Sequence, residues 1–220
     1  MNDADREYLL ENLEKYHVPI VTKKYHTYLT YQGDTSDCVY ILKEGVAKVS
    51  SILRDGREFN ITYITDSDFV SLLDEKRGND IFSVFNVRIE TEFAEFYQVS
   101  RRDFWQWSRT DNHFFEIVDD FYRRRLAFNI DMFQQMMVNG KKGAVCSCIH
   151  NLIDSFGIQK RDGILIDFPI TNEDIAGFCG ISTRNSVSRI VHDLEKEHVL
   201  SRIDGKIMIY NLSFLEDYIN

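Results

Sequence analysis

The chain has 220 residues, of which 44% are hydrophobic and 28% charged, and its formal net charge at pH 7 is −9. This length allows one large domain or two smaller ones, and the hydrophobic fraction is sufficient for packed cores. No run approaches about 18 apolar residues, and the stretch MNDADREYLLENLEKY lacks the features of a signal peptide, so we expect a cytoplasmic protein without a membrane partner. The four cysteines, at positions 38, 146, 148 and 179, are too irregularly spaced for a disulfide framework, and we expect reduced thiols.

Residues 23 to about 101 alternate short β-rich runs with turn residues. The pair Asp55-Gly56 separates two such runs and predicts a hairpin. Strict alternation with polar neighbours is seen at Phe59, Ile61 and Tyr63. The close spacing of the turns predicts an antiparallel β-roll over residues 1–110, because a parallel sheet would need crossover helices.

Between residues 111 and 138 the apolar period becomes helical. One stripe contains Phe115, Val118, Tyr122, Leu126, Ile130, Phe133 and Met137, and a second contains Phe114, Ile117, Phe121, Phe128, Met132 and Met136. Two apolar faces need two partners, so we expect one face to pack on the roll and the other to pair with the same helix of a second chain. This predicts a homodimer; the alternative is a helix buried within one large monomer.

Residues 139–220 predict a separate small domain. Asn139-Gly140 ends the long helix, KKGAVCSCIHNLIDSFG reads as a helix, and RDGILIDFPI reads as a turn and a strand. Thr171 and Asp174 have the spacing of a capping box for a helix that ends near Gly180.

A second helix, RNSVSRIVHDLEKEHV, follows this glycine turn, with Ser182 or Thr183 as its cap. The two helices form a helix-turn-helix, and two β runs joined by Asp204-Gly205 add a hairpin wing. The fold class is therefore α+β: an antiparallel β-roll (1–110), a dimerisation helix (111–138) and a winged helix-turn-helix (139–220).

The segment GISTRNSVSR, residues 180–189, contains two arginines and no acidic residue. Arginine can donate twice to guanine, asparagine can do the same for adenine, and short hydroxyls reach phosphates. The predicted DNA-binding residues are Thr183, Arg184, Asn185, Ser186, Ser188 and Arg189, with Arg202 and Lys206 of the wing for the phosphate backbone. Against this, capped helix pairs occur in many other proteins, and residues 139–220 hold nine basic and eleven acidic residues.

The chain resembles the Crp/Fnr superfamily of bacterial transcription regulators over nearly its full length. YQGDTSDCVYILKEGVAKVSSILRDGREF is similar to the family's β-roll, residues 111–138 to its dimer helix, and ITNEDIAGFCGISTRNSVSRIVHDLEKEHVLSRIDGKIMIY to its winged helix-turn-helix. The turn before the second helix is one residue longer than the common pattern, and with NGKKGAVCSCIHNL and NLSFLEDY it resembles the PrfA-like branch. The resemblance implies a homodimer on a palindromic operator in double-stranded DNA, a base contact by Arg189, and, for an activator, RNA polymerase as a further partner.

The resemblance also bears on the effector. Cyclic-nucleotide-binding relatives use a Gly-Glu-Leu segment and an Arg-Ser pair, where this chain has Ser71-Leu72-Leu73 and Ser83-Val84. The carboxylate and the guanidinium are missing, so we expect no binding of cyclic AMP. Oxygen-sensing relatives bind an iron–sulfur cluster through several N-terminal cysteines, whereas only Cys38 precedes residue 146, and we expect no cluster.

Members of the PrfA-like branch have a tunnel between the roll and the dimer helix that takes a small thiol peptide such as glutathione. The residues expected to line it in this chain are Tyr63, Ile64, Phe69, Tyr122 and Leu126. An ordinary hydrophobic core would use the same residue types, so a ligand-free sensor domain stays open.

Two further functions are alternatives to a DNA-binding regulator. A cupin-like metal enzyme would need histidines and carboxylates clustered on the roll strands, but these strands hold only His26, with His17 just before them, so we expect neither a metal site nor catalysis. Cys146 and His150 share a helix face from which Cys148 points away, which favours buried thiols over a metal site. A regulator that acts through protein contacts alone stays open.

Overall fold

The computed structural model describes residues 1–35, 37–65, 67–70, 72, 74–77 and 80–219. The chain divides into two compact units, Met1–Leu126 and Ala127–Asn220. Among the described residues, no helix is long and apolar enough to cross a membrane.

The first unit is an antiparallel β-roll with flanking helices. Its elements are α1 (Asp3–Lys15), β1 (Ile20–Lys24), β2 (Tyr28–Thr30), β3 (Cys38–Glu44), β4 (Val46–Ile52), β5 (Glu58–Thr65), β6 (Asp74–Arg77), β7 (Asp80–Ser83), β8 (Asn86–Ile89), β9 (Phe93–Ser100), α2 (Arg101–Thr110) and the start of α3 (Asn112–Val138). Two sheets have the strand orders β1-β9-β3 and β2-β8-β4-β5, and β6 pairs with β7. All named pairs are antiparallel, which confirms the predicted roll.

Strand β3 contributes to two hydrophobic cores because its side chains alternate between the two faces of its sheet. Leu42 packs between the two sheets with Val49, Ile64 and Phe96. The opposite face of β3 and β9 packs against α1, α2 and the start of α3, through Val39, Ile41, Tyr97, Val99, Leu9, Leu13, Phe104, Phe114, Ile117 and Phe121. Each large apolar side chain buried in this way stabilises the fold by about 1.5–3 kcal/mol.

Helix α3 has the two kinds of face that its apolar pattern predicts. Its first turns bury Phe114, Ile117 and Phe121, which belong to the second stripe, together with Val118 of the first stripe. Five other members of the first stripe are exposed: Phe115, Leu126, Ile130, Phe133 and Met137.

The second unit contains the end of α3 and a winged helix-turn-helix. Its elements are α4 (Gly140–Phe156), β10 (Gly157–Lys160), β11 (Gly163–Ile166), α5 (Asn172–Phe178), α6 (Arg184–Lys196), β12 (Leu200–Ile203), β13 (Lys206–Ile209) and α7 (Leu212–Glu216). The four strands form one antiparallel sheet in the order β10-β11-β13-β12. Strand β10 was absent from the sequence-based prediction because all its residues are exposed and show no apolar alternation.

Two glycines of the roll have the same kind of backbone but different surroundings. Gly45 joins β3 to β4 with φ +100°, and a Cβ there would lie 2.7 Å from the Phe93 carbonyl oxygen and 2.8 Å from the Ala94 Cβ. Gly56, in the β4–β5 turn, has φ +83° and no atom within 4 Å of such a Cβ.

We predict that Gly56→Ala destabilises the chain by about 1–2 kcal/mol, the cost of a left-handed backbone, and that Gly45→Ala costs about 1–3 kcal/mol more from overpacking. Urea denaturation followed by circular dichroism measures both variants. Equal losses for the two variants would show that the close approach of Phe93 to Gly45 does not constrain the roll.

Candidate DNA-binding surface

Helix α5 and its turn are fixed by local hydrogen bonds. The Thr171 hydroxyl oxygen accepts from the Asp174 amide at 3.0 Å, and the Asp174 carboxylate accepts from the Thr171 amide at 3.1 Å, which confirms the capping box. Gly180 has φ +60°, as expected of the residue that ends a helix. Ile181 is buried and its amide donates to the Ala176 carbonyl at 2.9 Å, so the turn is anchored to the domain core.

Thr183, rather than Ser182, caps α6, and its side chain accepts from the Ser186 amide. The inner face of α6 buries Val187, Val191 and Leu194. The opposite side leaves three of the predicted DNA-binding side chains exposed: Arg184, Asn185 and Arg189.

The first turn of α6 contains no acidic residue, and Arg184 lies in it. A helix N-terminus carries a partial positive charge, so a carboxylate there would stabilise the helix whereas an arginine does not. The same positive end is suited to a phosphate group. The residues of this turn are therefore better suited to binding an external anion than to stabilising the isolated helix.

Asn172 connects α6 to the wing, and the sequence analysis did not identify it. Its amide nitrogen donates to the Ser188 hydroxyl oxygen at 3.0 Å, and its amide oxygen accepts from Arg202 Nη2 at 2.6 Å. Ser188 also donates to the Arg184 carbonyl at 3.0 Å, and Ser188 is partly buried. Ser188 is therefore part of the helix packing, and its contact with DNA stays a prediction.

The sequence predicts that the Arg202 side chain is free to bind phosphate, whereas in the structure its guanidinium is hydrogen-bonded within the domain. Besides Asn172, its guanidinium donates to the Ile170 carbonyl and, at 3.3 Å, to the Gly205 carbonyl. Burial lowers the pKa of Arg202 from its usual value. Three of the five guanidinium N–H groups are thus used within the domain, and any phosphate contact would use the remaining two.

Lys206 lies at the start of β13 and forms an ion pair with Asp167, with Nζ 2.6 Å from the carboxylate. This hydrogen bond lowers the pKa of Asp167, and both side chains remain partly exposed. The predicted hairpin is confirmed, and the turn between the wing strands has positive φ at Asp204 (49°) and at Gly205 (80°), as in a type I′ turn.

The five residues expected to line a ligand tunnel lie in different surroundings. Ile64 packs in the core between the sheets, whereas Phe69 is in the core against the helices and meets the rings of Phe104 and Phe121 edge-on. Three others complete the set: Tyr63 is buried, Tyr122 is partly buried with its hydroxyl donating to the Leu72 carbonyl, and Leu126 is exposed. A ligand at these positions stays a prediction.

The two segments that correspond to the nucleotide-binding motifs of relatives, Ser71-Leu72-Leu73 and Ser83-Val84, are only partly described. Ser71 and Leu73 lie outside the described residues, and Leu72 is buried in the core against the helices. Ser83 is also buried, and its hydroxyl donates to the Phe85 carbonyl at 2.8 Å.

Three of the four cysteines are buried in the second unit: Cys146 and Cys148, as expected, and Cys179. Burial raises the pKa of Cys146 to about 12, and a hydrogen bond with Cys179, together with burial, raises the pKa of Cys148. The Cys179 thiol donates to the Ala144 carbonyl at 3.3 Å. The raised pKa values of Cys146 and Cys148 favour the neutral thiol, which is unreactive. In the part of the chain that is described, no group of His, Cys, Asp or Glu residues is placed to hold a metal ion.

Comparison with protein-family models matches residues 144–218 to the Crp-like helix-turn-helix domain and residues 21–111 to the cyclic nucleotide-binding domain. The lactate racemization regulatory protein of Lactiplantibacillus plantarum is 47% identical over 216 residues, which cover 98% of each chain. The anaerobic regulatory protein of Bacillus subtilis is 27% identical, covering 86% of this chain and 79% of that protein. The listeriolysin regulatory protein of Listeria monocytogenes is 24% identical, covering 85% and 79%.

Solved structures share the fold. A mutant of CooA from Carboxydothermus hydrogenoformans aligns with a TM-score of 0.80 at 15% identity, covering 100% of this chain and 98% of that chain. A CRP family transcriptional regulator from Thermus thermophilus aligns with a TM-score of 0.72 at 19% identity, covering 90% and 96%. With the match to a curated regulator over almost the whole length, these findings confirm the family expected from the sequence: the chain belongs to the Crp/Fnr family of DNA-binding transcription regulators.

Proposed function

We propose that the protein binds a palindromic operator in double-stranded DNA as a homodimer, in the cytoplasm, with α6 in the major groove. The observation that carries this proposal is the first part of α6, residues 184–192, which contains no acidic residue and exposes Arg184, Asn185 and Arg189 away from the buried apolar face. These residue types match the hydrogen-bonding groups of base edges in the major groove.

Arg189 is the residue on which specificity is proposed to depend. Its side chain makes no hydrogen bond or ion pair with any described residue, and it is exposed. All five of its N–H donors are therefore available for a guanine. Arg202 differs, because its guanidinium joins the wing to α5.

The exposed residues of α3 support the homodimer. Leu126, Ile130, Phe133 and Met137 follow one another at steps of four, three and four, which is the seam pattern of a two-helix coiled coil. Their exposed fractions are 63%, 47%, 64% and 70%. A second copy of the helix would remove this apolar surface from water, and a two-fold pair of α6 helices matches a palindromic duplex.

The target genes are proposed from the relative at 47% identity, whose name states that it regulates lactate racemization. We infer that this chain controls genes for the interconversion of lactate enantiomers. Its expected role as an activator, with RNA polymerase as a partner, stays a prediction. Membership of the PrfA-like branch has weaker support, because the listeriolysin regulatory protein is only 24% identical.

The effector proposals rest on fewer observations. The absence of cyclic AMP binding is supported by the lack of a guanidinium at Ser83-Val84. A glutathione-like ligand has less support, since Ile64 and Phe69 pack in separate cores. The absence of an iron–sulfur cluster stays a prediction from the single cysteine before residue 146.

The family consists of transcription regulators and not of enzymes, so the cupin-like enzyme is set aside. A regulator that acts through protein contacts alone would not require Arg189, and the following prediction separates the two functions.

We predict that Arg189→Ala weakens binding to a duplex selected by the wild-type protein from a random pool by about tenfold or more, because one bidentate base contact contributes about 1–3 kcal/mol. Arg189→Lys keeps the charge but loses the fixed two-donor geometry, and it should lower the preference for the selected over a random duplex while leaving binding to the random duplex nearly unchanged. Fluorescence anisotropy at constant salt measures both.

The control is Lys196→Ala, which removes an exposed basic residue from the last turn of the same helix. It should leave the preference for the selected duplex unchanged. Unaltered specificity in both Arg189 variants would contradict a role for Arg189 in reading bases.

We predict that Phe133→Glu converts the protein to a monomer and weakens operator binding, because paired helices would bury two like charges in an apolar seam. Sedimentation velocity measures the oligomeric state. Ala127→Glu adds the same charge at an exposed position of α3, about 100° round the helix from Leu126. A dimer that survives Phe133→Glu but not Ala127→Glu would place the interface on another face.

A further inference from the structure

A cavity of about 490 Å³ opens beside α2 in the first unit, and none of the five residues of the expected tunnel lines it. Its lining residues are Thr35, Asp37, Asp80, Ile81, Ser100, Arg101, Arg102, Trp105 and Arg109. Pockets for small ligands fall in this range of volumes.

One wall of the cavity is a face of α2. Arg102, Trp105 and Arg109 are spaced by three and four residues, so they lie above one another on the helix. Arg102 and Arg109 are exposed, and neither makes an ion pair or hydrogen bond with a described residue. Two guanidinium groups next to an indole are the groups that bind an oxyanion and cover an apolar portion of a ligand.

The start of α2, which supports these side chains, is held in place by contacts with the rest of the roll. Arg101 is buried, its amide donates to the Asp37 carbonyl at 2.9 Å, and its Nη2 donates to the Cys38 carbonyl at 3.3 Å. Trp105 packs edge-on against Phe104, with ring centroids 5.3 Å apart. The start of α2 is therefore attached to β3 and to the hydrophobic core, and the arginines extend from a rigid support.

The lining also contains two carboxylates of the reverse charge, those of the exposed residues Asp37 and Asp80. Carboxylates there would repel a simple anion but would accept hydrogen bonds from an ammonium or hydroxyl group. The cavity lining thus combines cationic and anionic groups, which is unlike a patch that contains arginines alone.

We propose that this cavity binds a small metabolite that has an oxyanion, either a carboxylate or a phosphate, at one end and a hydrogen-bond donor such as an ammonium group at the other. Arg102 and Arg109 hold the oxyanion, Trp105 covers the body of the ligand, and Asp80 accepts from the donor group. The proposal stands independently of operator binding.

The chain allows a direct test because it has only two tryptophans, Trp105 and Trp107, both on α2. Trp107 is not in the cavity lining and stacks on Tyr16, so Trp107→Phe keeps an aromatic ring there and leaves Trp105 as the single reporter. The full-length Trp107→Phe protein is titrated with phosphoethanolamine, β-alanine, inorganic phosphate and ethanolamine, and followed by fluorescence and by isothermal titration calorimetry.

We expect saturable binding of phosphoethanolamine or β-alanine, and the stronger of these two probes identifies the oxyanion as phosphate or carboxylate. Arg102→Gln and Arg109→Gln should each weaken this binding by about tenfold or more, the effect of losing a charged hydrogen bond. Asp80→Asn should reduce the preference for phosphoethanolamine over inorganic phosphate. Arg54→Gln, at an exposed arginine in the β4–β5 turn, is the matched control and should change nothing.

The proposal is overturned if neither method detects binding of any probe up to about 10 mM, a concentration at which even weak sites are occupied. It is equally overturned if binding is seen but Arg102→Gln and Arg109→Gln lower the affinity no more than Arg54→Gln. Circular dichroism melts confirm that each variant is folded before it is titrated.

Discussion

The geometry of the DNA-binding surface depends on the side-chain amide of Asn172. Its oxygen accepts a hydrogen bond from Arg202 of the wing, and its nitrogen donates one to Ser188 on α6. The amide therefore fixes the distance between the two elements that are proposed to contact DNA. Loss of the amide would leave the partly buried guanidinium of Arg202 without one of its hydrogen-bond partners, at a cost of about 1–3 kcal/mol. The surface that reads DNA is thus positioned by polar contacts at its edge as well as by the apolar core beneath it.

An acidic chain can bind DNA when its charge is distributed unevenly. The segment from Gly180 to His192 contains no carboxylate, although the whole chain has a net charge of −9. Acidic residues elsewhere weaken binding to random sequence, which depends on total charge, and leave the specific contacts in place. Arg184 lies in the first turn of α6, where its positive charge interacts unfavourably with the helix dipole. This placement fits a surface whose residues serve ligand binding rather than helix stability.

Much of the fold could be predicted because its signals are local. Three of these signals are the apolar stripes of α3, the capping box at Thr171 and the Asp204-Gly205 turn. In each of them, the next residue of the pattern is only a few positions away in sequence, and the structure confirms the helix, the capping box and the turn. Contacts between distant residues could not be predicted: nothing in the sequence indicates that Arg202 meets Asn172. Apolar residues such as Phe69 were equally ambiguous, because a core and a ligand tunnel require the same side chains.

Hydroxyl-radical footprinting of the full-length protein, on a duplex that it has selected, shows directly whether a symmetric dimer reads DNA through α6. We expect two equivalent protected half-sites whose centres are about 10–10.5 base pairs apart, or a multiple of this spacing, with both protections lost together in Arg189→Ala. A single protected segment, or a two-part footprint that is unchanged in Arg189→Ala, would contradict this expectation.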